Sequence, residues 1–341
     1  MSERGQTLPL IEALERLRWP EALEAYSGLT GQPLLAIDLR DGAPRAGAEA
    51  IEQLRRVLSE VPCPTIGLSG QNLDDSARAL LASFDVIVTD ENEAAAVVDR
   101  VRARPQAAAA LVQLLRLGEV LDVHEGLIAE SLTYSMLQSG PEFAGWLASR
   151  ERRPAAAVAQ EDAVLAERDG RVLRLTLNRP ERRNAFSVSM RDRLAELLAA
   201  AVADDSVEEI VLCGSGPAFC SGGDLDEFGT LPDPATAHLV RSTRNVARLL
   251  AACGPRVTAE VHGACVGAGV ELAAFARRVL ARGDATFELP EVGMGLVPGA
   301  GGTVSIPRRI GRQRTAYMAL TGEPIDVSTA LRWGLVDRVV D

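Results

Sequence analysis

The chain has 341 residues, 47% hydrophobic and 24% charged, with aromatics at 4% and a formal net charge of −11. This is the balance of a folded globular protein with one large domain or two, and it excludes disorder as the default. The acidity, with no basic stripe interleaved with aromatics, argues against nonspecific nucleic-acid binding, and no apolar run approaches the roughly 18 residues of a membrane span.

The opening MSERGQTLPLIEALERL mixes acids with bases and lacks an apolar core ahead of a small-residue cleavage site. A secretory signal is therefore not expected, and the cytoplasm is the expected compartment. The chain contains no lysine, which removes Schiff-base catalysis and a Walker A loop ending in GK[ST]. His124, His238 and His262 are scattered, none with a second ligand at metal spacing, so neither a metal nor another cofactor is expected. The five cysteines lack any CxxC, and Cys213 and Cys265 sit in apolar stretches, which suits reduced core thiols. There is no GxSxG elbow, and GMGLVPG misses the GxGxxG spacing.

In chain order, LLAID at 34–38 and TIGL at 65–68 read as buried strands, with helical periodicity in EAIEQLRRVLSE at 49–60 between them. The long apolar-periodic stretch from Gln106 to Gln138 reads as two helices broken near Gly118. SGPEFAGWLASRERRP gives a short capped helix ending in a basic cluster, and PAAAVAQ at 154–160 reads as a linker. From 163 the texture changes: AVLAERDGRVLRLTLNRP alternates about an Asp-Gly turn, the signature of a β-hairpin. SVSMRDRLAELLAAAVADD is an amphipathic helix opened by serine, and EEIVLCGS and VTAEVHG are buried strands. Alternating strands and helices predict an α/β core with parallel pairing, whose strand-to-helix loops form the binding crevice.

Three loops concentrate small residues at such passages: AFCSGGDL at 218–225, ACVGAGVELA at 264–273 and FELPEVGMGLVPGAGGT at 287–303. Small residues let the main chain approach a ligand closely, and unpaired N–H groups at a helix start point at negative charge. Any one such loop can equally serve tight packing. Glu271, set among glycines, alanines and valines, needs a hidden partner or a task, because burying an unpaired carboxylate is costly or raises its pKa.

Together LNRPERRNAFS, AFCSGGDL, VHGACVGAGVELA, FELPEVGMGLVPGAGGT and ALRWGLVDRVV, in that order over residues 163–340, resemble the enoyl-CoA hydratase/isomerase (crotonase) family. The resemblance implies an α/β fold with the ββα spiral core of the ClpP/crotonase type. It implies Glu271 and Glu291 as catalytic acids and bases, with their order left open, and the Gly223 and Ala268 amides as an oxyanion hole for a thioester oxygen. Family members more often carry alanine at the first of these and glycine at the second. Arg182, Arg183 and Ala185 fall where the family borders the CoA nucleotide, with Ser221 and Asp224 in the adjoining loop; Leu225, Phe228, Leu231 and Met294 are candidates for the acyl pocket or for ordinary core.

The implied activity is hydration of a trans-2-enoyl-CoA to a 3-hydroxyacyl-CoA. The alternatives are an isomerase or specialised acyl-CoA lyase of the same family, and more remotely a noncatalytic acyl-CoA-binding subunit. Coenzyme A enters only as part of the substrate, and a homo-oligomer, trimer or hexamer, is expected. A typical member continues past its GLVDRVV strand into terminal helices. Here similar material, ARPQAAAALVQLLR and the following segment to Pro154, precedes the core, and VVDRV at 97–101 echoes VDRVV at 336–340. The expected organisation is a degenerate, noncatalytic crotonase-like half over 1–105, helical cover over 106–153, a linker over 154–162 and the catalytic core over 163–341.

Overall fold

The computed structural model describes residues 7–19, 21–42, 47–151 and 162–341. The Arg152-Arg153 pair and the linker residues 154–161 lie outside these ranges.

The first region runs β1 (Leu8–Pro9), α1 (Leu10–Arg16), α2 (Glu21–Ala25), β2 (Leu35–Asp38), α3 (Ala48–Glu60), β3 (Thr65–Leu68), α4 (Asp75–Leu80) and β4 (Val86–Val88). Its strands form one parallel sheet in sequential order. Alternate residues of a strand point to opposite faces, and here each face feeds a different core. Leu35, Ile37 and Leu39 pack with Leu54, Leu58 and Phe84 in a local cluster, whereas Leu34, Ala36, Ile66, Leu68, Val86 and Val88 belong to the main core.

Four helices follow: α5 (Glu91–Ala103), α6 (Pro105–Leu117), α7 (Val123–Gln138) and α8 (Pro141–Ala148). Asp90 caps α5, and an Asp122/Glu125 capping box starts α7. Proline stands at the first position of α6 and α8, where its missing N–H would have been unbonded anyway. The VVDRV echo of a terminal strand is corrected here: residues 97–101 lie inside α5, with Val97 and Val101 one turn apart on its buried face.

The second region contains β5 (Val164–Asp169), β6 (Val172–Leu177), α9 (Val188–Ala203), β7 (Glu209–Gly214), α10 (Pro234–Thr243), α11 (Val246–Cys253), β8 (Val257–Val261), β9 (Ala264–Val266) and α12 (Ala268–Ala273). It continues with β10 (Arg278–Arg282), β11 (Thr286–Glu288), α13 (Gly302–Ile310), α14 (Arg312–Thr321), β12 (Ile325–Asp326), α15 (Val327–Trp333) and β13 (Arg338–Val340). A large sheet of order β13-β10-β8-β7-β6-β5 is parallel except for the β5–β6 hairpin, and a small sheet has order β12-β11-β9. The chain therefore spirals: β8 in the large sheet leads to β9 in the small one and then α12, and β10 leads to β11 and then the turn before α13.

Burial on the large sheet is one-sided. Leu175, Ile210, Leu212, Val257, Ala259, Val279 and Ala281 pack beneath α9 and α11, while Arg174 and Glu260 pair at 2.9 Å on strand positions of the opposite parity. Cys213 shares that polar face, half-exposed and 3.3 Å from Arg174 Nη1, so it is not the core thiol its apolar neighbours suggested; Cys265 is buried. All five cysteines are free.

The two regions join through a buried ionic knot. Asp85, fully buried just before β4, accepts hydrogen bonds from Thr65, from Arg116 on α6 and, at 2.8 Å, from Arg312 at the start of α14. Arg116 also donates to the carbonyls of Val61 and Cys63.

Candidate active site

A cavity of about 550 Å³ lies between the second region and helices α7 and α8. Its lining includes Gly223, Asp224, Phe228, Leu231, Ala268, Glu271 and Glu291 from the core, and Glu130, Tyr134 and Phe143 from the helices.

Glu271 sits in the first turn of α12 with only 2% of its surface exposed. Its Oε2 accepts the Ala300 N–H at 2.7 Å and the Gly302 N–H at 2.8 Å. Those amides lead into α13, whose first N–H groups have no partner within the helix. The intervening amides go to a carboxylate that the sequence reading missed: Glu130 of α7 takes the Gly301 N–H at 2.7 Å and the Thr303 N–H at 2.9 Å, and the Thr303 hydroxyl at 2.6 Å. Four successive amides thus alternate between Glu271 and Glu130. The available signal was the one that marked Glu271, a lone carboxylate on an apolar stripe, here three residues after Leu127 and seven before Leu137.

Glu291 opens the 3-10 turn Glu291–Met294, and its Oε2 is buried with no hydrogen-bond partner. Its Oε1 lies against Gly267, where a Cβ would come within 2.3 Å; the left-handed φ of +47° there also requires glycine. The turn is held from outside by Arg104, whose Nε donates to the Gly293 carbonyl at 3.1 Å.

Burial raises all three carboxyls above the ordinary value near 4.5. Glu291 is pushed up to about 8, with Glu288 and Glu130 adding to the effect of burial. Glu271 is pushed well above its usual range, by burial first and then by Glu291 and Glu130, against the hydrogen bonds from Ala300 and Gly302. Glu130 reaches about 7, its burial opposed by the donors from Thr303 and Gly301 and by the charge of Arg241. At neutral pH such a cluster keeps protons, and the carboxyls titrate as a set rather than singly.

Among the described residues the N–H groups of Gly223 and Ala268 have no printed acceptor, and both residues line the cavity. Gly223 is fitted to its neighbour, since a Cβ there would meet the Phe228 ring at 2.8 Å. Phe228 in turn meets Trp146 edge-on at 5.8 Å, and Trp146 stacks on Phe143, so α8 contributes an aromatic wall.

The remaining candidates divide. Asp224 reaches the lining, but its carboxylate pairs with Arg179 at 2.8 Å. Arg182, Arg183, Ala185, Ser221, Leu225 and Met294 do not contribute to the lining. Arg182 pairs with Asp226 at 3.1 Å. Arg183 and Asn184 adopt left-handed turns, with φ of 51° and 54°. The buried Asn184 side chain donates to Ser215 and Ala218, and the Arg183 carbonyl accepts the Ser221 N–H. These residues shape the loop beneath Gly223. Among the described residues no group of His, Cys, Asp and Glu could hold a metal ion, and no helix is long and apolar enough to cross a membrane.

The model of the family described as enoyl-CoA hydratase/isomerase matches residues 167–341, just over half of the chain. The chain is 37% identical over 182 residues to 1,2-epoxyphenylacetyl-CoA isomerase of Escherichia coli K12, covering 52% of this chain and 70% of that protein. It is 39% identical over 176 residues to 2,3-dehydroadipyl-CoA hydratase of the same organism, covering 52% and 68%. A solved enoyl-CoA hydratase of Mycobacterium smegmatis shares 37% identity over 53% of this chain and 70% of its own, with a TM-score of 0.48. The folded spiral, the cavity and the family match lead to one conclusion: the chain belongs to the enoyl-CoA hydratase/isomerase family.

Proposed function

We propose that this protein is an enoyl-CoA hydratase that adds water across a trans-2-enoyl-CoA to give a 3-hydroxyacyl-CoA. The observation that carries the reading is the sharing of one cavity by two buried glutamates and two amides without acceptors. In this reading the Gly223 and Ala268 N–H groups grip the thioester oxygen. Conjugation makes Cβ electrophilic when the enolate-like charge on that oxygen is stabilised, and each such donor contributes about 3–4 kcal/mol to lowering the barrier. Glu271 and Glu291 hold the water. One accepts its proton as oxygen bonds to Cβ, and the other delivers a proton to Cα. Raised carboxyl pKa values suit this division, because near neutrality one group of such a set carries a proton while another can accept one.

The proposal extends to the chain's organisation. Residues 1–105 are a noncatalytic crotonase-like half, 106–153 are helical cover for the site, and 163–341 are the catalytic core. In support, α7 and α8 line the cavity, while β1–β4 contribute no residue to it. Assembly as a homo-oligomer belongs to the same proposal and is read by sedimentation.

The test is to incubate the purified protein with crotonyl-CoA and longer enoyl-CoAs and follow loss of the conjugated thioester absorbance. E271Q and E291Q are each expected to lower kcat by about 10²–10⁴-fold. Unchanged turnover in both variants overturns the mechanism, and double-bond migration without uptake of water replaces it with isomerisation.

A further inference from the structure

Three arginines line the cavity: Arg191, Arg241 and Arg244. Two of them have acidic partners, Asp192 for Arg191 at 2.7 Å and Glu196 for Arg244 at 3.5 Å. Arg241, on α10, is bonded only to neutral acceptors of α7. Its Nε donates to Ser131 Oγ at 3.1 Å, its Nη1 to Gln138 Oε1 at 3.3 Å, and its Nη2 to the Ser131 carbonyl at 3.3 Å and to Ser135 Oγ. A guanidinium has five N–H donors, so one on Nη1 and the whole positive charge remain uncommitted.

The charge is held away from water, and burial lowers its pKa against the influence of Tyr134 and Glu130. Glu130 does not neutralise it by contact, because both its oxygens are engaged by Gly301 and Thr303. Taking a charge out of water without a counter-ion is unfavourable, and a site that tolerates this is prepared for an incoming anion.

The position of Arg241 says which part of a ligand would meet it. Its Cζ lies 4.7 Å from the centroid of the Tyr134 ring. Tyr134 packs against Gly299, where a Cβ would meet its ring at 2.4 Å. Gly299 adjoins Ala300, whose N–H holds Glu271. A path of contacts therefore runs from the catalytic carboxyl to the unpaired guanidinium. The CoA-side candidates of the 182–185 turn do not line the cavity.

We propose that Arg241 is a specificity determinant for acyl groups that end in a carboxylate, so that the preferred substrates are monothioesters of dicarboxylic acids rather than simple fatty acyl-CoAs. This rests on reading the cavity as an acyl-CoA site. The remaining Nη1 donor and the charge bind the terminal carboxylate, and Tyr134 packs along the chain between the two ends.

The test measures binding without turnover. Full-length protein is titrated calorimetrically with saturated thioesters in pairs of equal chain length, from succinyl-CoA against butyryl-CoA to suberyl-CoA against octanoyl-CoA. At the best length the carboxylated member binds about 10–100-fold more tightly, the range for a hydrogen bond to a charged group. In R241Q that ratio falls to about 3-fold or less, and R241K restores part of it by returning the charge without the planar fork. A wild-type ratio at or below one at every length overturns the proposal even if R241Q does not fold. A large ratio that survives in folded R241Q also overturns it, since another residue then reads the carboxylate. Absence of hydration with the preference intact removes the reaction and leaves the pocket chemistry standing; hydration without the preference does the reverse.

Discussion

Both regions of the molecule are built on parallel sheets whose strands follow one another in sequence, yet only one of them lines the cavity. In the first region each strand passes directly to its covering helix: β3 leads to α4, capped by Asp74, with no second layer between. In the second, β8 and β10 pass first through β9 and β11 of the small sheet, and the loops leaving those short strands carry Ala268, Glu271 and Glu291. The parallel sheet is a platform, and the added strand layer builds the hollow. The loops of that layer can be glycine-rich because the sheet beneath and the helices above fix them from both sides.

This contrast can be broken at different strengths. The largest effect is expected within the hollow: E271Q should reduce kcat by about 10²–10⁴-fold while leaving the thermal transition of the first region in place, as followed by calorimetry alongside the assay. Next is the join between regions. Removing the Asp85 carboxylate in D85A leaves Arg116 and Arg312 buried without their shared anion, and should cost about 3–5 kcal/mol in denaturant unfolding. Two separated transitions would indicate that the regions had come apart; a single transition at the wild-type midpoint would contradict the role given to this knot.

A smaller loss, about 1–3 kcal/mol, is expected for E130Q, because an amide nitrogen then faces an N–H donor at Gly301 or Thr303. Urea unfolding would show it, and no change would mean that the alternating amide pattern is incidental. The smallest effect is a slope with pH. Glu130 and Glu291 have folded values of about 7 and 8 against an ordinary value of 4.5, so between these limits the native state binds protons that the unfolded chain has released. Their contribution is fully present below 4.5 and is lost as pH rises through 7 and 8, each extra bound proton giving a slope of about 1.4 kcal/mol per pH unit. E130Q should flatten the profile, and stability rising with pH across that window would refute the assigned direction.

The sequence reveals some of this better than the rest, for physical reasons. Strands such as Leu35–Asp38 and the capped helix from Val188 are visible because their periodicity and caps are local. Glu271 and Glu291 are visible because small-residue loops surround them. Glu130 and Arg241 are not, since each sits on an ordinary-looking helix and gains meaning only from partners more than 100 residues away. Arg182 and Arg183 mislead for the opposite reason: a basic pair in a suggestive loop is conspicuous, but the fold uses that turn to support the Gly223 backbone.

The clasp between Glu130 and the start of α13 joins groups 173 residues apart in the chain. During synthesis the roofing helices leave the ribosome well before the loop they must grip, and contacts of such long range form late. Until Gly301 and Thr303 arrive, the Glu130 side chain has only water to bind. Closure of the reaction chamber thus waits for the distal part of the polypeptide, and a truncated or stalled product would carry a roof with nothing beneath it.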